Sequence, residues 1–309
     1  MSTGTSMSSP GQVTALPEDQ WHKREQQHHA RVDALLADHL YRRRNGIAHP
    51  VEDFLFTYYS HKPAHLRRWH PGAGVALLGD AARDRLGERW YAQVRVPGPD
   101  GRPVRGAALD VDAFLAKRGS TVKFVASLLR AVQDRPAHLG CFGLHEWAMV
   151  YRLPPEQVRH SAVPLRLGAE GTDQVVEAHR IRCSHYDAFR FFTPEARPRN
   201  RLRPTRDSQV ALDQPGCLHA TMDLYKWAYK LAPAVPGELV VDCFELARDV
   251  RELDMRASPY DLSGYGYTPV RIETAEGKAE YVAAQRAFAE RGSELRARLL
   301  DVCAALRAG

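Results

Sequence analysis

The stretch LHATMDLYKWAYKLAPAVPGELVVDCFELARDVRELD, residues 218–254, carries two runs of apolar residues at helical spacing. Leu218, Met222, Tyr225, Tyr229 and Ala232 form the first stripe, and Leu239, Cys243, Leu246, Val250 and Leu253 the second. Intervals of three and four residues bring side chains onto one face of a helix. Pro233 and Pro236-Gly237 interrupt the pattern, so the stretch predicts two helices joined by a short turn. Outward from it the helical period continues. Residues 278 to 306 place Tyr281, Phe288, Leu295, Leu299, Val302 and Leu306 inward. Residues 110 to 133 do the same with Phe114, Val122, Val125, Leu128 and Leu129. Pro17 opens a helix with the stripe Val32, Leu35, Leu36 and Leu40, which Gly46 ends. Short helices are predicted at 51 to 59 and 63 to 69.

One segment alternates instead. Trp90, Ala92, Val94 and Val96 point one way and Tyr91, Gln93 and Arg95 the other; the Pro- and Gly-rich turn at 97–101 and the return through Val104 complete a hairpin. The segment 175 to 192 reads equally as strand or helix, and 194 to 204 as a Pro- and Arg-rich loop. No strand–helix alternation signals a doubly wound sheet. The expected fold is mainly α with a small β hairpin element (α+β). It has a helical core in a single compact unit over 17–309, with a β insertion at 74–109, after a disordered tail at 1–16.

The 309 residues are 44% hydrophobic and 26% charged, the balance of a folded globular chain. No apolar run approaches the roughly 20 residues that span a bilayer, and the first residues lack the apolar stretch of a signal peptide. Five scattered cysteines without a C-x-x-C pair argue against a disulfide framework and predict a cytoplasmic protein. A net charge of +6 favours anionic partners.

Candidate chemistry falls in four places. Cys141 and His145, Cys183 and His185, and Cys217 and His219 are neighbours, but their spacing matches no structural zinc pattern. His219 and Asp223, four apart on a predicted helix, share a face. With His145, Glu146, His185 and Asp187 they could hold a divalent metal. The rival reading is a solvated face, because Lys226 and Lys230 continue the same stripe. Arg197, Arg199, Arg201, Arg203 and Arg206 crowd a proline-stiffened loop suited to phosphate oxygens. Finally, Asp254, Arg256 and Asp261 mark a turn after a helix. No Walker A loop, G-x-G-x-x-G, H-E-x-x-H or G-x-S-x-G occurs.

The motifs HPVEDFLF (49–56), AHLRRWHPG (64–72), GLHEWAMVY (143–151), QPGCLHATMDLYKW (214–227) and LDMRASPYD (253–261) resemble a bacterial, mainly actinobacterial, family commonly labelled 3-methyladenine DNA glycosylase. The resemblance spans about residues 17 to 304. It implies a DNA base-excision hydrolase that needs no cofactor and binds alkylated DNA. Trp147, Tyr225 and Trp227 would stack the extruded base, and Asp223 or Glu146 would stabilise the sugar cation, with His145 and His219 beside them. The arginine loop would hold phosphates. The L-P-G-x-G hairpin of helix-hairpin-helix glycosylases is missing from the sequence. Two rival expectations stand beside this one. The first is a divalent-metal enzyme using His145, Glu146, His185, His219 and Asp223 on a small, phosphorylated substrate. The second is a non-catalytic nucleic-acid-binding protein. None involves a membrane.

Overall fold

The computed structural model describes residues 13–98, 101–158 and 163–308. In chain order the elements are β1 (Thr14–Leu16), α1 (Glu18–Arg44), α2 (Phe54–Tyr58), α3 (Pro63–Arg67), β2 (Val75–Leu78), β3 (Tyr91–Pro97), β4 (Pro103–Leu109), α4 (Val111–Gln133), α5 (Leu144–Ala148), α6 (Gly168–Ala178), α7 (Tyr186–Phe189), α8 (Gln209–Leu212), α9 (Leu218–Lys230), α10 (Gly237–Arg256) and α11 (Ala275–Ala308). About 57% of the described residues are helical, so helix packing sets the architecture.

The predicted hairpin of helices is α9 and α10. α9 packs on α10 and α11, and α10 also meets α1 and α3. Enclosed this way, α9 buries most of its circumference, from Leu218 through Asp223 to Tyr225. α4 closes the bundle against α11. The Asp110 carboxylate accepts a hydrogen bond from the Ala113 N–H at 2.9 Å, capping the start of α4. α1 places Glu18 and Asp19 in its first turn and Arg42, Arg43 and Arg44 in its last, each matched to the helix dipole.

The sheet runs β1-β2-β4-β3. β3 and β4 form the expected antiparallel hairpin from Tyr91↔Leu109 to Pro97↔Pro103; its turn residues 99–100 lie outside the described residues. β4 pairs with β2, and β1 lies parallel to β2. Gly106 is required where β4 crosses β2, since a Cβ there would sit 2.8 Å from the Leu77 carbonyl oxygen. The Trp21 indole donates to the Leu78 carbonyl at 2.9 Å, tying α1 to the sheet.

Three expectations change. Part of the supposed tail, Thr14–Leu16, is the edge strand β1; residues 1–12 lie outside the described residues. The β region therefore begins before 74. The ambiguous 175–192 segment splits into the end of α6, an extended passage through His185, and the single turn α7.

Candidate metal centre

Four separate pieces of chain deliver polar side chains to one buried place. α5 starts at Gly143, whose φ of 65° suits glycine, and buries His145 and Glu146. The extended passage before α7 supplies His185. The first two turns of α9 supply His219 and Asp223. The last turns of α10 supply Arg251 and Asp254, which is fully buried.

His145 Nε2 lies 2.8 Å from Asp254 Oδ1. The two atoms thus pair with each other as an ion pair, whereas the buried His219 Nδ1 is left without a hydrogen-bond partner. Buried polar atoms are nearly always paired, and leaving one unpaired costs on the order of 1–3 kcal/mol. Here the unpaired atom lies beside an ion pair: His145, His219 and Asp254 each offer a donor atom within 4.8 Å of the others. The two imidazoles meet edge to face at 4.4 Å. Two nitrogens and one carboxylate oxygen are a common donor set for first-row divalent metals. Burial works against a charged ring at His145, but Asp254 outweighs it and raises the pKa. At His219 burial, reinforced by His145, drives the pKa far down, so its ring is neutral. Burial opposes the Asp254 carboxylate; His145 more than compensates and keeps it ionised.

Behind the trio, the Arg251 guanidinium donates to Glu146 Oε1 at 2.9 Å and lies 3.4 Å from Asp254 Oδ2. Two carboxylates, Glu146 and Asp254, thus face the Arg251 guanidinium and the His145 ring, and a cation bound in place of the His145 proton would keep the charges balanced. Glu146, Arg251 and His219 line one wall of a cavity of about 460 Å³, with Phe54, Met149 and Tyr260 among its apolar lining.

A second trio, His185, Asp187 and Asp223, adjoins the first. The His185 and His219 rings stack at 5.5 Å. His185 Nδ1 is 3.0 Å from buried Asp213, which fixes its orientation and leaves Nε2 facing Asp223 at 3.8 Å. Here the cation is internal: Lys226 Nζ donates to Asp223 Oδ2 at 2.6 Å and to Asp187 Oδ2 at 3.3 Å. The Tyr59 hydroxyl donates to Asp223 Oδ1 at 2.8 Å. Burial opposes the Asp223 charge, yet Lys226 and His185 bring its pKa below the ordinary value.

Four of the five predicted metal residues thus fall in two neighbouring groups, His145 and His219 in the first and His185 and Asp223 in the second, while Glu146 stands beside the first, held by Arg251. His219 and Asp223 are buried, which removes the solvated-face reading. Another histidine of this region, His179, turns its Nδ1 to the Val175 carbonyl at 2.6 Å and belongs to neither group. The cysteines are free; Cys141, Cys183 and Cys217 line a small void behind the trio. Burial pushes Cys183 up to about 12 and the other two above their ordinary value, so with no cation beside them they are thiols.

The aromatics assigned to stacking sit in the core. Trp147 donates its indole N–H to the Ala257 carbonyl at 2.8 Å, and Tyr225 is enclosed by Tyr59, Tyr229 and Phe244. Trp227 is buried, with Lys226 and Lys230 over its ring and Phe124 at its edge. Several of the loop arginines are engaged by protein groups: Arg197 donates to the Arg190 carbonyl, Arg199 to the Tyr151 hydroxyl, and Arg203 to the Asn200 and Leu202 carbonyls. Exposed Arg201 holds the loop by its backbone, Arg201 N–H to the Ile181 carbonyl. Arg206 alone of the five lines a cleft beside the site.

Sequence reading placed Asp254 in a turn and passed over Arg251, Asp213 and Tyr59. A signal existed for Asp254. It lies four residues after Val250, on the apolar face of α10, where a carboxylate needs a buried partner. Comparison with family models, curated proteins and solved structures finds no match.

Proposed function

We propose that this protein is a metal-dependent enzyme that binds one divalent transition-metal ion through His145, His219 and Asp254 and acts on a small molecule in the adjoining cavity. The observation that carries the reading is the convergence of three buried donor residues, His145, His219 and Asp254, of which His219 reaches the cavity wall with an unpaired nitrogen. A metal of this class supplies Lewis acidity and makes a bound water acidic enough to react near neutral pH.

The protein's own groups have distinct tasks. Glu146 lines the cavity and can accept a proton from the reacting water, while Arg251 fixes its position. Arg251 also steadies the second oxygen of Asp254. Burial and His145 keep His219 neutral, with a lone pair free for ligation. Apolar Phe54, Met149 and Tyr260 exclude bulk water and strengthen the local field.

Metal analysis of the purified chain tests this. The expected result is about one transition-metal ion per chain, falling to a trace in Asp254→Ala and His219→Ala. No metal after reconstitution with zinc, manganese or iron(II) would sink the reading. Base excision, implied by the resemblance, draws less support, because Trp147 and Tyr225 are enclosed and only Trp227 borders a cleft. Release of methyladenine from alkylated duplex DNA, lost in Asp223→Asn, would favour it instead.

A further inference from the structure

Beside the metal-centre cavity lies a second cleft of about 780 Å³, between α4 and α9 and bordered by α7 and α8. The two share Phe54, Thr57, Tyr58, Asp187 and Phe191, so a single molecule can occupy both. Their linings differ in kind. The first is mainly apolar around Glu146, Arg251 and His219. The second brings in Arg190, Arg206, Lys226 and Lys230, and its acidic lining residue is Asp187.

Pairing decides which of these charges are available. Lys226 is held by Asp223 and Asp187, and Arg190 Nε sits 3.2 Å from Asp187. Among the described residues, no ion pair engages Lys230 or the exposed Arg206. Four cations against Asp187 and the underlying Asp223 leave an excess of two positive charges. Lys230 is pinned in place, its ammonium 5.5 Å from the Trp227 ring centroid beside that of Lys226 at 4.6 Å. Burial, and then Lys226, lower the Lys230 pKa, so a nearby anion would relieve the strain of two neighbouring ammoniums. Ser120 and Thr121 add hydroxyls along the α4 wall, and Phe124 presents a ring that is 39% exposed.

We propose that this cleft holds the phosphate of a small phosphorylated substrate, gripped by Lys230 and Arg206, while the uncharged part of the molecule extends over Phe54 and Tyr58 into the cavity at His219. The proposal rests on the metal-centre reading only for where the reaction occurs. A cleft of this size suits a metabolite.

Titration calorimetry with phenyl phosphate, on the full chain, tests the cleft apart from the metal. Binding should weaken at least about tenfold in Arg206→Ala and again in Lys230→Ala, as expected for lost charge-assisted bonds. In His219→Ala it should stay within about threefold of the unaltered protein. Unchanged thermal melting of the variants checks their folding. No binding up to about 10 mM overturns the proposal. Binding unaffected by the Arg206→Ala, Lys230→Ala double variant also overturns it, as does loss confined to His219→Ala, which would put the phosphate on the metal. A single-stranded oligothymidylate that binds where phenyl phosphate does not would make the cleft a polyanion groove and overturn it too. If metal analysis finds no ion but phenyl phosphate still depends on Arg206 and Lys230, the cleft stands and the metal reading falls.

Discussion

Arg251 is the residue on which the buried charges depend. Its guanidinium sits 3.9 Å from the Phe54 ring centroid and answers both Glu146 and Asp254. Replacing it with methionine fills much of the same volume but leaves buried Glu146 without its cation and Asp254 with His145 alone. Breaking a buried pair in this way costs about 3–5 kcal/mol. Arg251→Met is therefore expected to lower the urea midpoint strongly, whereas Glu146→Gln, which keeps a hydrogen-bond acceptor, should lower it far less. At this scale the sequence was half legible. His219 and Asp223 are on one helical face by their spacing alone, but nothing local says whether that face meets water. The answer depends on α10 and α11 closing over α9, a long-range fact. Asp213 was invisible for the same reason, since it reaches His185 only across a loop.

Among the elements, the long helices were legible because their apolar periods run for several turns and prolines mark their ends. α9, α10, α4 and α11 all lie within a few residues of their expected bounds. The failures are short or mixed. β1 has three residues, too few for an alternating pattern, and exists because β2 offers an edge at Thr14↔Val75. The 175–192 segment confused two periods because a helix end, an extended passage and one turn follow within eighteen residues. The cap of α4 offers a clean test. Asp110→Ala removes the acceptor for the Ala113 N–H, and the expected loss is about 1 kcal/mol, read as a lower thermal midpoint. Asp110→Asn keeps an acceptor and should recover most of it.

The whole molecule should respond to pH through two histidines remote from the metal residues. Burial, with His65 adding to it, lowers His61 from 6.5 to about 3. Burial, with Arg85 and Arg68, does the same to His70. His61 Nδ1 is 2.9 Å from the Tyr225 hydroxyl, and His70 Nδ1 is 3.1 Å from that of Tyr91. Both neutral rings can thus accept a hydrogen bond. An unfolded chain takes up protons at these sites below 6.5, and the folded chain does so only near 3. Their contribution is therefore complete above 6.5 and drains away as the pH falls toward 3. Urea midpoints followed between pH 7 and about 4 should decline, and His61→Gln with His70→Gln should flatten that decline. No helix among the described residues is long and apolar enough to cross a membrane. The donors at 145, 219 and 254 arrive from distant parts of a chain of 309 residues. During synthesis the last of them leaves the ribosome when most of the polypeptide has already been made. Under the proposed metal reading, loading with the ion would be a late event in the protein's life, and a nascent or truncated chain ending before α10 would lack the donor at 254.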